Sequence, residues 1–403
     1  MSRETPEVAG SAGRAWVVRP FGEGIHAATT IINPLKKPQT ICIVDIGSNS
    51  LKSVVFDLSE NPPTAVEKYD KILGLAKGQL PNDPAPKLNP EALEVMFAKA
   101  LPRVREQIID SKADTVTVLC TEAVRAVDRV NPQAIREFRT RVATALDLPV
   151  QAVNVVSETV EAQLAAKAIV YGNPHSTGFA VTTGGGSTEL ARVSQGRVRR
   201  GDYTTLRFGA RTLSATRNPR AVVEENLNKV VWFRDQQQCP RDAQPARGAD
   251  VESQRREDLI LQGGTFRVVG RVLAQRLHDI DFAAKIPFGG VTFAWDKQLD
   301  SQLQELSRTN FSKLENEFIR RELPKMKGWD DDDLSDWKES KDYRALTESP
   351  RYEKWHKRIG RRAEFIVPAV EIILAAEDRV NPRAVTFTAH STREGALMHA
   401  ACL

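Results

Sequence analysis

The chain has 403 residues, 41% hydrophobic and 27% charged, the balance of a globular protein of two or three domains with a real core. No stretch approaches the ~20 consecutive apolar residues of a membrane-spanning helix, and the N-terminus has no basic-then-apolar leader, so a cytoplasmic protein without a membrane partner is expected. Cys42, Cys120, Cys239 and Cys402 are dispersed with no CxxC pair, so neither a zinc site nor a disulfide framework is suggested, and a net charge of +5 favours an anionic partner without identifying it.

In chain order, residues 1–38 mix Gly, Ala, Pro and charge without a period and are expected to form an irregular extension. Residues 41–46 (ICIVDI) form a strand-length apolar run that ends on Gly47-Ser48-Asn49-Ser50, and residues 51–58 form a second strand. Asn89-Pro90 and Asn131-Pro132 each read as a cap followed by proline at the first helical position, with Pro102 expected to kink or split the first helix. Strands near 116–119 and 153–156 alternate with these helices, and a further helix is expected from Glu161 to Val170. The pattern then restarts: strand 178–183 ends on Gly184-Gly185-Gly186-Ser187-Thr188, and strand 258–262 ends on Gly263-Gly264-Thr265 before another helix. This alternation predicts an α/β fold.

Glycine accepts positive φ and has no side chain to hold a ligand away, so turns of this kind let backbone N–H groups converge on an anion. One such turn is better explained as an ordinary β-turn; three at strand ends point to phosphate. Neither a Walker loop nor a dinucleotide fingerprint occurs at these sites. The expected phosphate contacts are Ser48, Asn49 and Ser50 in the first turn, Gly185, Gly186, Ser187 and Thr188 in the second, and Gly263, Gly264 and Thr265 in the third. Asp45 at the first strand end suits a hydrated Mg²⁺ beside phosphate oxygens, or else a structural Asx-turn.

These segments resemble the exopolyphosphatase and guanosine pentaphosphate phosphohydrolase (Ppx/GppA) family, within the actin, heat-shock-ATPase and sugar-kinase superfamily. The resemblance is carried by 45–50 (DIGSNS), 121–125 (TEAVR), 157–164 (SETVEAQL), 184–190 (GGGSTEL), 208–210 (FGA), 263–265 (GGT) and 393–395 (REG), in the family's order from about residue 40 to the end. It implies two ribonuclease-H-like domains, 39–155 and 156–403, with an interdomain cleft and a charged insertion at 293–360 in the second. It also implies attack of water on the terminal phosphoryl group of inorganic polyphosphate or guanosine pentaphosphate. Glu161 falls on the family's general base, Glu189 on a second acidic site residue, Asp45 on the metal-associated aspartate, and Arg125 on an arginine expected to stabilise transferred charge. Mg²⁺ is the implied cofactor, bound by Asp45 and Glu189, and a homodimer is compatible with the resemblance. From the residues alone, Glu161 is equally well a first-turn glutamate favoured by its helix dipole.

Two positions depart from the family pattern. Thr182 stands where the family has aspartate, so any metal contact there is a hydrogen bond to coordinated water and brings no charge. Val160 replaces the glutamate before Glu161. A second reading is therefore a non-hydrolytic sensor of phosphate ligands, with precedent in a regulatory branch of fungal proteins that resembles this fold; a sugar-kinase activity has no sugar-site signature to support it. Of the remaining signals, the acidic run 330–333 reads as a solvated loop, the basic stretch 197–200 as an extended phosphate track or ordinary surface, and His390 as structural. Basic residues in 351–362 suit a polyanion, but no aromatic-basic motif accompanies them, so nucleic acid is not expected.

Overall fold

The computed structural model describes residues 7–9, 15–21, 28–32, 39–60, 63–79, 83–230, 232, 257–282, 284, 290–388 and 390–401. They fall into two compact units, Met1–Ala215 with His390–Leu403, and Thr216–Ala389.

The centre of the first unit is β4 (Thr40–Ile46), which pairs antiparallel with β5 (Ser50–Asp57) and parallel with β7 (Thr115–Cys120). Because side chains alternate along a strand, β4 serves two cores. Cys42, Val44 and Ile46 pack with Met96, Leu101, Val104 and Phe138 from helices on one face. Ile41 and Ile43 pack with Val160, Leu164 and Leu397 on the other. Flanking strands are β6 (Thr64–Ile72), β8 (Val153–Val155) and, toward the N-terminus, β1 (Glu7–Ala9), β2 (Ala15–Phe21) and β3 (Ala28–Ile32). Residues 1–38 were expected to be irregular, yet β3 pairs antiparallel with β7 through Ile31↔Val116. The β-prone residues Trp16, Val17, Val18, Ile31 and Ile32 find a strand edge that local pattern does not reveal.

Both predicted caps form. Asn89 Oδ1 accepts from Glu91 N at 2.9 Å and Asn131 Oδ1 from Ala134 N at 3.1 Å. The expected break at Pro102 is a π-turn over Met96–Ala100 between helices Pro90–Val95 and Leu101–Asp110, which places proline at the start of a new helical register, where its missing N–H costs little.

The same unit holds an antiparallel meander of β9 (Gly178–Thr183), β10 (Thr188–Ser194) and β11 (Arg197–Leu206). It also holds the C-terminal helix Thr392–Ala401, which lies against helix Glu158–Gly172. There a Cβ on Gly395 would sit 1.8 Å from Leu164 O, so the helices approach as closely as they do because that residue is glycine.

In the second unit β12 (Asp258–Gln262) runs parallel to β14 (Ala384–Phe387), which pairs antiparallel with β13 (Val291–Ala294). The charged insertion is helical, built from Lys297–Leu306, Phe311–Glu322, Asp331–Trp337, Lys341–Thr347 and Pro350–Arg358. The buried aromatics Phe282, Phe318, Tyr352 and Trp355 pack together inside it. The acidic run 330–333 is therefore not the loop expected from composition. Asp330 Oδ1 accepts from Asp333 N at 2.8 Å, and the run opens a helix whose positive end it complements.

The sequence reading of an α/β fold with ribonuclease-H-like sheets is borne out.

Candidate active site

Two of the three glycine turns meet in the first unit. A Cβ on Gly185 would lie 3.2 Å from Ser48 Cβ and 3.3 Å from Asn49 Cβ, and one on Gly186 would lie 2.6 Å from Ser48 Oγ. The turns touch because the second carries no side chain where it meets Ser48 and Asn49 of the first. Gly209, from the 208–210 segment, backs the second turn: its missing Cβ would come within 2.6 Å of Gly185 C and Gly186 N. The short helix that follows it donates from Ala210 N to Gly184 O (3.0 Å) and from Arg211 N and Thr212 N to Gly185 O (both 3.1 Å). The carbonyls of the turn are thus held outward. Among the described residues, no hydrogen bond uses the N–H of Ser48, Asn49, Gly185, Gly186 or Ser187. Buried backbone donors are seldom left unmade, and three of these, on Ser48, Gly186 and Ser187, belong to buried residues, so the set from two turns is what an anion cradle requires.

Beside the turns lies a group of buried charges. Glu161 sits in the first turn of helix Glu158–Gly172, whose start is capped by Ser157 Oγ accepting from Val160 N at 3.2 Å. Glu161 Oε2 pairs with Arg125 Nη1 at 2.8 Å, and both residues are only 6% exposed. Arg125 is held on its other edge as well, donating from Nε (3.0 Å) and Nη2 (2.6 Å) to Glu122 Oε2 and from Nη1 to Val156 O at 2.7 Å. The chain of alternating charge continues outward: Arg129 bridges Glu122 Oε1 (2.6 Å) and Glu158 Oε1 (3.0 Å), and Arg207 Nε reaches the same Glu158 oxygen at 2.9 Å. A pocket of about 260 Å³ lined by Glu122, Arg129, Gly186, Arg207 and Thr212 opens next to the second turn.

Glu189 lies on β10 directly opposite Thr182 on β9 and is 3% exposed. Its Oε1 has no hydrogen-bond partner among the described residues. Burial, reinforced by neighbouring Glu161, holds its carboxyl well above the usual carboxylate range. Burial also pushes Glu161 up against the opposing pull of Arg125, and it raises Asp45 against Lys52 and Arg393. Leaving a buried carboxyl short of partners costs stability once it ionises.

That cost has a pH signature. An unfolded glutamate ionises near pH ~4.3. Folded Glu189 holds its proton to higher pH, so the stability it contributes is present below the unfolded value and is lost as pH rises through the folded one. In chelator-containing buffer, Glu189→Gln is expected to melt above wild type by a margin that widens as pH rises above the unfolded glutamate value of about 4.3. A margin that stays flat or shrinks across that series would contradict the assignment.

The remaining predicted residues are placed as follows. Ser48, Ser187 and Thr188 are buried at the two meeting turns, with Thr188 Oγ1 donating to Phe208 O at 2.8 Å, while Ser50 begins β5 and its carbonyl accepts from Gly47 N at 3.0 Å. Asn49 Oδ1 accepts from Arg211 Nη2. Gly263, Gly264 and Thr265 belong to the second unit, where they open helix Gly264–His278; Gly263 has φ 131°, which needs glycine, and a Cβ on Gly264 would meet Arg362 Nη1 at 1.9 Å. The face of that turn is thus taken by an arginine. Arg197 and Val198 lie in β11, and the side chains of Arg199 and Arg200 are outside the described residues. His390 packs edge-on against Tyr171 and fills the space left by Gly172, in keeping with a structural role.

Sequence reasoning had not singled out Glu122, Arg129, Glu158, Arg207 or Arg211. A signal existed for the first two: Glu122, Arg125 and Arg129 fall at i, i+3 and i+7 on helix Glu122–Val130, one face of alternating charge.

Residues 54–231 match the Ppx/GppA phosphatase family. The matched segment runs from within β5 to beyond β11 and carries Arg125, Glu161 and Glu189, so the resemblance drawn from the motifs is borne out, and a phosphatase-type hydrolase is supported. Among solved structures, the chain is similar to an exopolyphosphatase from Cytophaga hutchinsonii (17% identity, 90% of this chain and 98% of that one, TM-score 0.62). It is also similar to the PPX-GPPA enzyme of Aquifex aeolicus (17% identity, 90% and 99%, TM-score 0.55). At that identity the likeness shows the fold. No curated protein matches the sequence. No helix of the described residues is long and apolar enough to cross a membrane.

Proposed function

We propose that the chain is an exopolyphosphatase-type phosphohydrolase that releases terminal phosphate from inorganic polyphosphate or guanosine pentaphosphate. The observation that carries this reading is the meeting of two glycine turns, with five uncommitted N–H groups, beside a buried carboxylate set. Phosphoryl transfer is largely positioning and charge neutralisation, which convergent N–H groups supply without reorganisation. Glu161 orients a water and takes its proton as the water oxygen bonds to the terminal phosphorus. The bridging P–O bond breaks, and the shortened chain leaves with that oxygen. Arg125 holds Glu161 in place; to meet transferred charge directly it would have to release a carboxylate that it now neutralises.

Among the described residues no three His, Cys, Asp or Glu side chains are grouped to hold a metal. Mg²⁺ asks less, taking one or two carboxylates together with substrate phosphates. Glu189, with an unpartnered buried oxygen, and Asp45 at the end of β4 fit that smaller demand. When bound there, Mg²⁺ would neutralise charge on the phosphate oxygens. Thr182 opposite Glu189 favours a second reading in which the cradle binds and does not turn over.

Phosphate release from long-chain polyphosphate and from guanosine pentaphosphate, each with Mg²⁺ and with chelator, decides between them. Metal-dependent release is expected; ligand-induced thermal stabilisation without release would establish the sensor reading instead.

A further inference from the structure

Basic residues in 351–362 suit a polyanion by composition, and the structure sets one of them, Arg358, against an arginine of another helix. We propose that Arg271, with Arg358 beside it, forms a phosphate-group site in the second unit that takes part of an inorganic polyphosphate chain and shares no residue with the cradle. The choice of polyphosphate rests on the phosphohydrolase reading above; the anion site itself does not.

Arg271 has one edge to offer a ligand. It belongs to helix Gly264–His278, and its Nη1 donates to Phe282 O at 2.7 Å and to Ala284 O at 2.8 Å, which uses both protons of that nitrogen. The Nε–Nη2 edge, the one that grips two oxygens in parallel, bonds to none of the described residues, and Arg271 makes no ion pair among them. Asp281, the carboxylate next to Phe282, pairs with Arg351 at 3.3 Å. Arg358, at the end of helix Pro350–Arg358, donates from its own Nη1 to the same two carbonyls at 3.2 and 3.3 Å. Two guanidinium groups therefore share neutral acceptors. Burial, together with the like charges of Arg358 and Arg267, pulls the Arg271 pKa down to about 10, which still leaves it charged at neutral pH. A phosphate group on the open edge relieves that repulsion without breaking an ion pair of Arg271.

Positive charge continues along the same helix face. Gly264, Arg267 and Arg271 fall at i, i+3 and i+7, about 10 Å of helix, and Arg362 Nη1 fills the space that a Cβ on Gly264 would take. Such a row suits a chain of phosphates better than a single ion. Single-stranded nucleic acid would ask for rings on which bases stack, but Phe282, whose carbonyl both arginines hold, and Trp355, one turn before Arg358, are each only 2% exposed.

The test uses the full chain and two readouts that do not depend on turnover. In wild type, phenylglyoxal labelling of Arg271, mapped by peptide mass spectrometry, should slow when long-chain polyphosphate is added in chelator, and should not slow with single-stranded DNA at the same phosphate concentration. Calorimetric titration with tripolyphosphate should resolve a second class of site beside the cradle. Arg271→Ala should weaken that class alone by about 10–100-fold, the worth of hydrogen bonds to a charged group. Arg271→Lys keeps the charge without the fork and should fall between. Labelling that polyphosphate leaves unchanged, or that DNA slows as much as polyphosphate does, would overturn the inference, and a misfolded variant cannot imitate a result read on wild type. Protection with unaltered affinity in Arg271→Ala would overturn it too. Phosphate release with Arg271 unshielded would sink the site and leave the hydrolase reading standing; shielding without release would do the reverse.

Discussion

Glu161→Gln is expected to slow phosphate release by about 10²–10⁴-fold with little change in tripolyphosphate binding. Glutamine keeps the volume and an acceptor for Arg125 but loses the charge and the ability to take a proton. Because Glu161 is 6% exposed and fixed by its ion pair, no neighbouring solvent molecule replaces it easily. Burial raises its carboxyl above the ordinary glutamate range, so the wild-type rate should begin to fall, as pH is lowered, at a higher pH than a solvated glutamate would give. The residual rate of the variant should lack that acidic limb. Equal rates in the two proteins would remove Glu161 from the role of base, and a parallel loss of binding would make it a structural residue.

Thr182→Asp should act in the opposite direction, raising Mg²⁺-dependent turnover by roughly 10–100-fold, the usual worth of one metal-associated carboxylate. The geometry is favourable. Thr182 and Glu189 are directly paired across β9 and β10, so their side chains share one face of the sheet, and both are buried. Two carboxylates so placed repel each other until a cation joins them. The variant should therefore melt below wild type in chelator and recover with Mg²⁺, whereas wild type responds less. Thermal curves that ignore Mg²⁺, together with unchanged turnover, would show that the missing aspartate is not what limits this site.

Much of this was legible in the residues, and the parts that were not share a cause. Strand, glycine turn, strand is a local pattern, and so are the caps at Asn89 and Asn131; each is written within a few consecutive residues. Glu161 and Glu189 could be named because the motifs around them are local as well. The N-terminal strands were missed because β3 is stabilised by pairing with β7, some eighty residues away, where neither segment signals the other. Residues 297–358 were read by their charge, while their helices turn Phe318, Tyr352 and Trp355 inward from beneath it.

The sequence by itself determined the α/β class and the order of the glycine turns, because these depend on periodicity and on which residues tolerate a tight turn, while Glu161 and Glu189 were singled out by the family resemblance. Only the tertiary structure decided which groups meet: Gly185 against Ser48, Glu189 facing Thr182, Arg125 enclosed by Glu122 and Glu161, and Arg211 bonded to Asn49. Whether an arginine's charge remains available for a ligand depends on its neighbours across the fold, and those neighbours come from segments that are distant along the chain.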